Sequence, residues 1–218
     1  MTQKIILEAV TGSKAYGLNH AQSDTDKMGI FVAPTVHVAG LGWASKHESW
    51  SNAGPEGDDY TLHEVGKYLK LVLKSNPTLV ELLFIDQYET LTDEGRAMID
   101  LRGKVLYTKG IREAYYGYAK AQYERVMREY PLHKPKMARH CVRIAIQGHE
   151  LLTTGTTNVK VLDPQYLFDL NDMGQTDLFN TMAKHVQSID DAKSVLRDEP
   201  DRKSVAAFLE DIRRQNLG

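Results

Sequence analysis

The chain has 218 residues, 42% of them hydrophobic and 26% charged, enough for one well-filled domain or a compact domain with a smaller helical one. No apolar run reaches membrane length, and Met1–Leu7 leads straight into a strand-like segment without the apolar core of a secretory signal. The lone Cys141 cannot close an internal disulfide, so a disulfide-stapled class is excluded and a reducing, cytoplasmic setting is expected.

The net charge of −2 conceals a polarity. Residues 1–101 carry 8 Lys/Arg against 14 Asp/Glu, residues 102–143 carry 11 against 3, and residues 144–218 carry 8 against 12. A basic middle between acidic flanks fits a local contact with a polyanion, although a solvated helical face would give the same count.

In chain order, Ile5–Val10 is predicted as a buried strand that runs into a Gly/Ser turn at Gly12 and Ser13. A second strand is expected from Asp24 to Val32, stopped by Pro34. Residues 40–59 are rich in Gly, Ser, Asn and Asp and read as a loop; Tyr60–Leu62 is expected as a third strand. Val65, Tyr68, Leu69, Val72 and Leu73 then form one apolar stripe, predicting a helix over 64–74. Asn76 and Pro77 supply a cap and a first-turn proline for a helix to about Phe84, and Thr90 or Thr92 caps another to about Leu101. Two long helices follow, over 111–130 and 136–153, with prolines 131 and 135 between them and Gly155 as a stop. The second carries a polar stripe, Arg139, Arg143, Gln147 and Glu150. Shorter helices are expected over 164–169, 175–197 and 201–215.

The chemistry concentrates between Gly12 and Val32. On a strand Asp24 and Asp26 point to the same face. Neighbouring carboxylates repel, and such a pair persists most readily around a cation. Gly12 and Ser13 offer amides and a hydroxyl to an anion, as phosphate-cradling turns do. An anion cradle facing a divalent-cation site suits a metal-bound nucleotide.

The pair Gly12-Ser13 followed after ten residues by Asp24-Thr25-Asp26 resembles the nucleotidyltransferase signature of the DNA polymerase β superfamily. The fuller pattern includes Ala15, Tyr16, Gly17, Ser23, Gly29 and Ile30. It is similar to the minimal nucleotidyltransferases that include the RNA-ligase-associated enzymes of bacterial and phage RNA repair. Lys67-Tyr68, Asn76-Pro77-Thr78, Glu81-Leu82-Leu83, Gly117-Tyr118, Gln122, His140, Arg143 and the run Glu150–Gly155 extend the likeness over about residues 5–160.

The resemblance implies an α+β fold, with a small mixed-sheet core of the polymerase β palm type over 1–105 and a helical region over 106–218. It implies transfer of a nucleoside monophosphate from an NTP, ATP or CTP foremost, to a hydroxyl, with an RNA end as acceptor. Magnesium, or manganese in its place, would be held by Asp24, Asp26 and a third carboxylate, for which Asp59 is the choice, Asp58 the near alternative and Glu64 and Glu81 the further ones; a one-residue register change exchanges Asp58 and Asp59. Gly12 and Ser13 would hold the β and γ phosphates. Lys67, Lys109 and Arg143 are phosphate candidates. Tyr118 would stack on the base, Gln122 read its edge, and His140 share the ligand from one turn before Arg143.

Plainer roles compete. Tyr118 and His140 are equally suited to structural places, Glu81 to an ion pair with a nearby Lys or Arg, and Cys141 to the core. The same chemistry on a protein hydroxyl or a small molecule, and a non-catalytic RNA- or nucleotide-binding module, are the other functions the pattern allows.

Overall fold

The structure, a computed structural model, describes residues 4–53, 59–132 and 135–217. It is α+β, with a five-stranded mixed sheet. β1 (Lys4–Thr11) is followed by the short helix α1 (Gly12–Tyr16), β2 (Asp26–Val32), α2 (Thr35–Val38), a 3₁₀ turn over Ser45–His47, β3 (Ser49–Ala53) and β4 (Asp59–Glu64). Then come α3 (Val65–Val72), α4 (Pro77–Glu81), β5 (Thr90–Leu91), α5 (Asp93–Asp100) and α6 (Arg102–Val105). The helical region follows: α7 (Thr108–Glu129), α8 (Pro135–Thr154), α9 (Pro164–Asp169), α10 (Gln175–Asp191) and α11 (Arg202–Gln215). No helix among the described residues is long and apolar enough to cross a membrane.

The strand order is β3-β4-β2-β1-β5. β2 and β4 run parallel and the other pairs antiparallel. Side chains alternate between the two faces of the sheet. Ala9, Ile30 and Val32 join the main core, while Phe31, Ala33 and Leu62 form a small cluster on the other face. A register shift between Ile5 and Leu7 lets both Ile6 and Leu7 enter the main core. That core continues through α3, α7, α8, α10 and α11, so sheet and helices share one interior.

Most predicted helices form near the expected bounds because their apolar stripes and caps agree. Asn76 Oδ1 accepts from Leu79 N at 3.4 Å at the start of α4, Thr92 Oγ1 accepts from Gly95 N at 3.3 Å before α5, and Gly155 takes φ 75° after α8. The expected loop over 40–59 is corrected: β3 lies inside it. Its sequence, Ser-Trp-Ser-Asn-Ala, has little strand propensity, and only pairing with β4 at the sheet edge makes it a strand. The second strand begins at Asp26 rather than Asp24. Its partner β1 ends at Thr11, opposite Asp26, where the chain turns into α1 and offers no backbone to pair with Asp24.

Candidate functional site

The site is built where β1 ends. Gly12 has φ 65°, a left-handed conformation that favours glycine. A Cβ added there would lie 2.0 Å from Asp26 Oδ2, so the Asp26 carboxylate packs against the bare Cα of the turn. Thr11 gives α1 no side-chain cap. Ser13 is half-buried in the first turn of α1, and Lys14 Nζ donates to Thr25 Oγ1, between the two aspartates. Asp24 is exposed.

Asp59 is exposed at the first position of β4. The parallel register pairs Lys27 with Tyr60, so one residue earlier Asp26 and Asp59 start their strands at the same level and on the same face. Adjacent strands are about 4.8 Å apart. Among the described residues no three Asp, Glu, His or Cys side chains converge tightly enough to hold an ion. The donor set is nevertheless all carboxylate, the hard oxygen chemistry magnesium takes. Asp58 lies outside the described residues. Glu64 is at the other end of β4, where it accepts from Gly66 N at 2.7 Å, caps α3 and pairs with Arg213 at 2.7 Å. Five strand residues, roughly 16 Å, separate it from Asp59.

Behind the turn is a buried network. Arg143 on α8 is 3% exposed and Glu81 at the end of α4 is 4% exposed. Arg143 Nη1 donates to Glu81 Oε1 and, at 2.9 Å, to Gln147 Oε1; its Cζ lies 3.6 Å from the centre of the Tyr16 ring. Tyr16 OH donates to Glu81 Oε2 at 2.8 Å. Burial, then the Glu81 charge, raises the Tyr16 pKa; burial would lower that of Arg143, but the Glu81 charge reverses this and raises it. The group is therefore a fixed ion pair beneath a neutral phenol. It ties α1 to α4 and α8.

The same guanidinium reaches His140, whose Nδ1 lies 3.1 Å from Arg143 Nη2. Burial, then the Arg143 and Lys136 charges, pushes the His140 pKa down to about 4. With Nδ1 accepting from Arg143, Nε2 carries the proton toward Tyr118 OH at 3.1 Å, a tautomer assigned from this network. Tyr118 is 38% exposed, and its ring meets His140 edge-on. Gln122 lies half-buried one turn further along α7.

The structure thus brings Gly12, Asp26 and Asp59 to one end of the sheet, with Ser13 next in the turn and Asp24 two residues before Asp26, and it groups Tyr118, His140 and Arg143 behind Tyr16. It places Lys67 and Lys109 elsewhere. Phe31 is level with Glu64, so α3 begins past the far end of the sheet, and Lys67 Nζ lies 3.6 Å from Glu48 there. Lys109 is exposed at the start of α7, about 14 Å along the helix axis from Tyr118. Glu81 is in the expected ion pair. Cys141 is buried, donates to Ala119 O at 3.2 Å, and has its thiol pushed up to about 12 by burial.

Two lysines went unmarked in the sequence: Lys14, and Lys160, whose methylenes come within 3.6 Å of a Cβ built on Gly17. Lys14 stood in the variable place of the motif. Lys160 comes in beside Val161, whose N donates to Tyr16 O at 3.0 Å. Beside this contact a cleft of about 150 Å³ opens between α8 and residues 158–167. A larger one, about 540 Å³, opens by Phe31, Trp43 and Trp50, at the far end of β2, and holds none of the candidate residues.

A sequence model of the RNA repair pathway DNA polymerase beta family matches residues 1–192. No protein of curated function matches the chain. Among solved structures, a nucleotidyltransferase-like protein from Exiguobacterium sibiricum 255-15 is similar at 7% identity, covering 98% of this chain and 74% of that one, with a TM-score of 0.35.

Proposed function

Since the chain belongs to the RNA repair pathway DNA polymerase beta family, a polymerase beta-like nucleotidyltransferase family, we propose that it moves a nucleoside monophosphate from an NTP to a hydroxyl at an RNA end. The observation that carries this reading is the Asp26 carboxylate against the bare Gly12 turn, level with Asp59 across β2 and β4.

Asp24, Asp26 and Asp59 would hold magnesium, which when bound supplies charge neutralisation for the phosphates. The Gly12 and Ser13 amides and the Ser13 hydroxyl hold the β and γ phosphates, and Lys14 stands ready to exchange Thr25 for a phosphate oxygen. The acceptor oxygen forms a bond to the α phosphorus as the bond to pyrophosphate breaks, and an Asp59 carboxylate oxygen takes the acceptor proton. Arg143 takes no phosphate in this reaction: it is 3% exposed, its charge is paired with Glu81, three of its five N–H donors go to Glu81, Gln147 and His140, and it holds α1 in place through Tyr16. Tyr118, an exposed ring on the basic segment 102–143, offers a stacking face to the acceptor strand.

The test is incubation with labelled ATP or CTP, magnesium and a tRNA or short RNA, followed by mapping of the label. Label on an RNA end is expected. Label on the protein itself, with none on any RNA, would move the acceptor to a protein hydroxyl.

A further inference from the structure

We infer, resting on the nucleotidyl-transfer reading, that the cleft between α8 and residues 158–167 seats the base of the incoming NTP and selects one whose Watson–Crick edge sets an exocyclic amine beside a ring acceptor, adenine or cytosine, over uracil. The cleft is joined to the phosphate turn by α1. The Tyr16–Val161 hydrogen bond and the packing of Lys160 over Gly17 place its mouth at the end of that helix. The five residues of α1 rise about 7.5 Å, a separation a ribose bridges.

The walls suit a flat ring. Ile146, Val161 and Leu167 are apolar, and Tyr166 is fixed by a 2.7 Å hydrogen bond between its OH and His185 Nε2. The polar groups read an edge. Gln147 is 2% exposed, and because its Oε1 accepts from Arg143, the amide orientation is set and Nε2 is the donor. Among the described residues that donor reaches only Asn158 O at 3.5 Å, longer than an ordinary N–H···O bond. Glu150, three residues on and so on the same helix face, accepts at Oε2 from Thr157 Oγ1 at 2.6 Å and from Asn158 N at 3.2 Å. Its Oε1 takes no hydrogen bond from any described residue. A buried, under-used donor beside a carboxylate acceptor complements an amine next to a ring acceptor, which adenine and cytosine possess. The uracil 4-oxygen would instead set an acceptor against Glu150. A site built this way rejects the ligand that leaves its buried groups unpaired.

The experiment is calorimetric titration of the full chain, with magnesium, against ATP, CTP, UTP and inorganic tripolyphosphate. ATP or CTP is expected to bind at least about tenfold more tightly than UTP. Glu150→Gln, whose carboxamide can turn to donate or accept, should bring that ratio to within about threefold while tripolyphosphate binding changes less than about twofold. Gln147→Met should weaken the amino-bearing nucleotides about tenfold with the same indifference to tripolyphosphate. Glu150→Gln is half-buried and isosteric, so it carries the test if Gln147→Met does not fold. UTP binding as tightly as ATP and CTP overturns the inference. So does a ratio unmoved by Glu150→Gln, or one abolished by Tyr118→Ala instead. If tripolyphosphate and all NTPs bind without base preference, this inference alone fails. If none binds, the transfer reading fails and takes this inference with it.

Discussion

Replacing Glu81 by Met tests the ion pair behind the Gly12 turn. The side chains of Arg143 and Glu81 are 3% and 6% exposed, so solvent does little to screen either charge. Glu81→Met leaves the guanidinium buried beside Tyr16 without its counter-charge, and Tyr16 OH loses its acceptor. Breaking a buried pair from one side costs about 3–5 kcal/mol, a large part of the roughly 5–15 kcal/mol that holds a domain folded. Replacing both partners, Glu81→Met with Arg143→Met, removes the buried charge altogether and is often nearly neutral. The assay is urea unfolding followed by circular dichroism. At a slope of about 1–3 kcal/mol/M the single variant should lower the midpoint by more than about 1 M. The double variant should recover most of that loss, a strongly non-additive cycle. A single-variant cost under about 1 kcal/mol, or an additive double variant, would show that Glu81 does not compensate a buried Arg143 charge.

Two further perturbations bear on the turn and on pH. Gly12→Ala forces a Cβ into a left-handed backbone and against the Asp26 carboxylate; a loss of about 1–2 kcal/mol in unfolding free energy and at least about a hundredfold in transfer rate is expected. Stability and single-turnover rates read both, and an active, unstrained variant would contradict the packing of Asp26 on the turn. His140 has its folded pKa depressed from 6.5 to about 4, so its contribution is full above about pH 6.5 and is lost as pH falls toward 4. His140→Gln should flatten the stability profile in that window, by an amount on the order of 3 kcal/mol, and a pH titration of unfolding with no difference from the parent chain would refute it.

The family was legible because the Gly-Ser turn and the aspartate pair are local: ten residues separate them and each sits beside a hydrophobic strand signal. The helices were legible for a related reason, since α3 and α8 carry apolar stripes whose period holds in any packing. Less could be read of what meets across long separations. Arg143 looked like a phosphate ligand on its helix, and nothing near it in sequence shows that Glu81, 62 residues earlier, takes its charge. Lys67 looked well placed after a strand, but the parallel pairing of β2 with β4 sends α3 to the opposite end of the sheet from Asp26. β3 escaped notice because Ser49, Ser51 and Asn52 are turn-like residues at an edge, where pairing rather than propensity makes the strand. Gln147 and Glu150 were visible as a polar stripe, but the segment they face, 158–163, has no periodic signal.

The proposed reaction requires Asp26 for chemistry rather than for architecture. Asp26→Asn, isosteric and on the turn, should be assayed beside the parent chain for NTP-dependent labelling of RNA and, in the same preparation, for RNA affinity. Transfer should fall by at least about a hundredfold, with RNA affinity equal or higher because a negative charge facing a polyanion has gone. Transfer that survives Asp26→Asn unchanged would contradict this requirement.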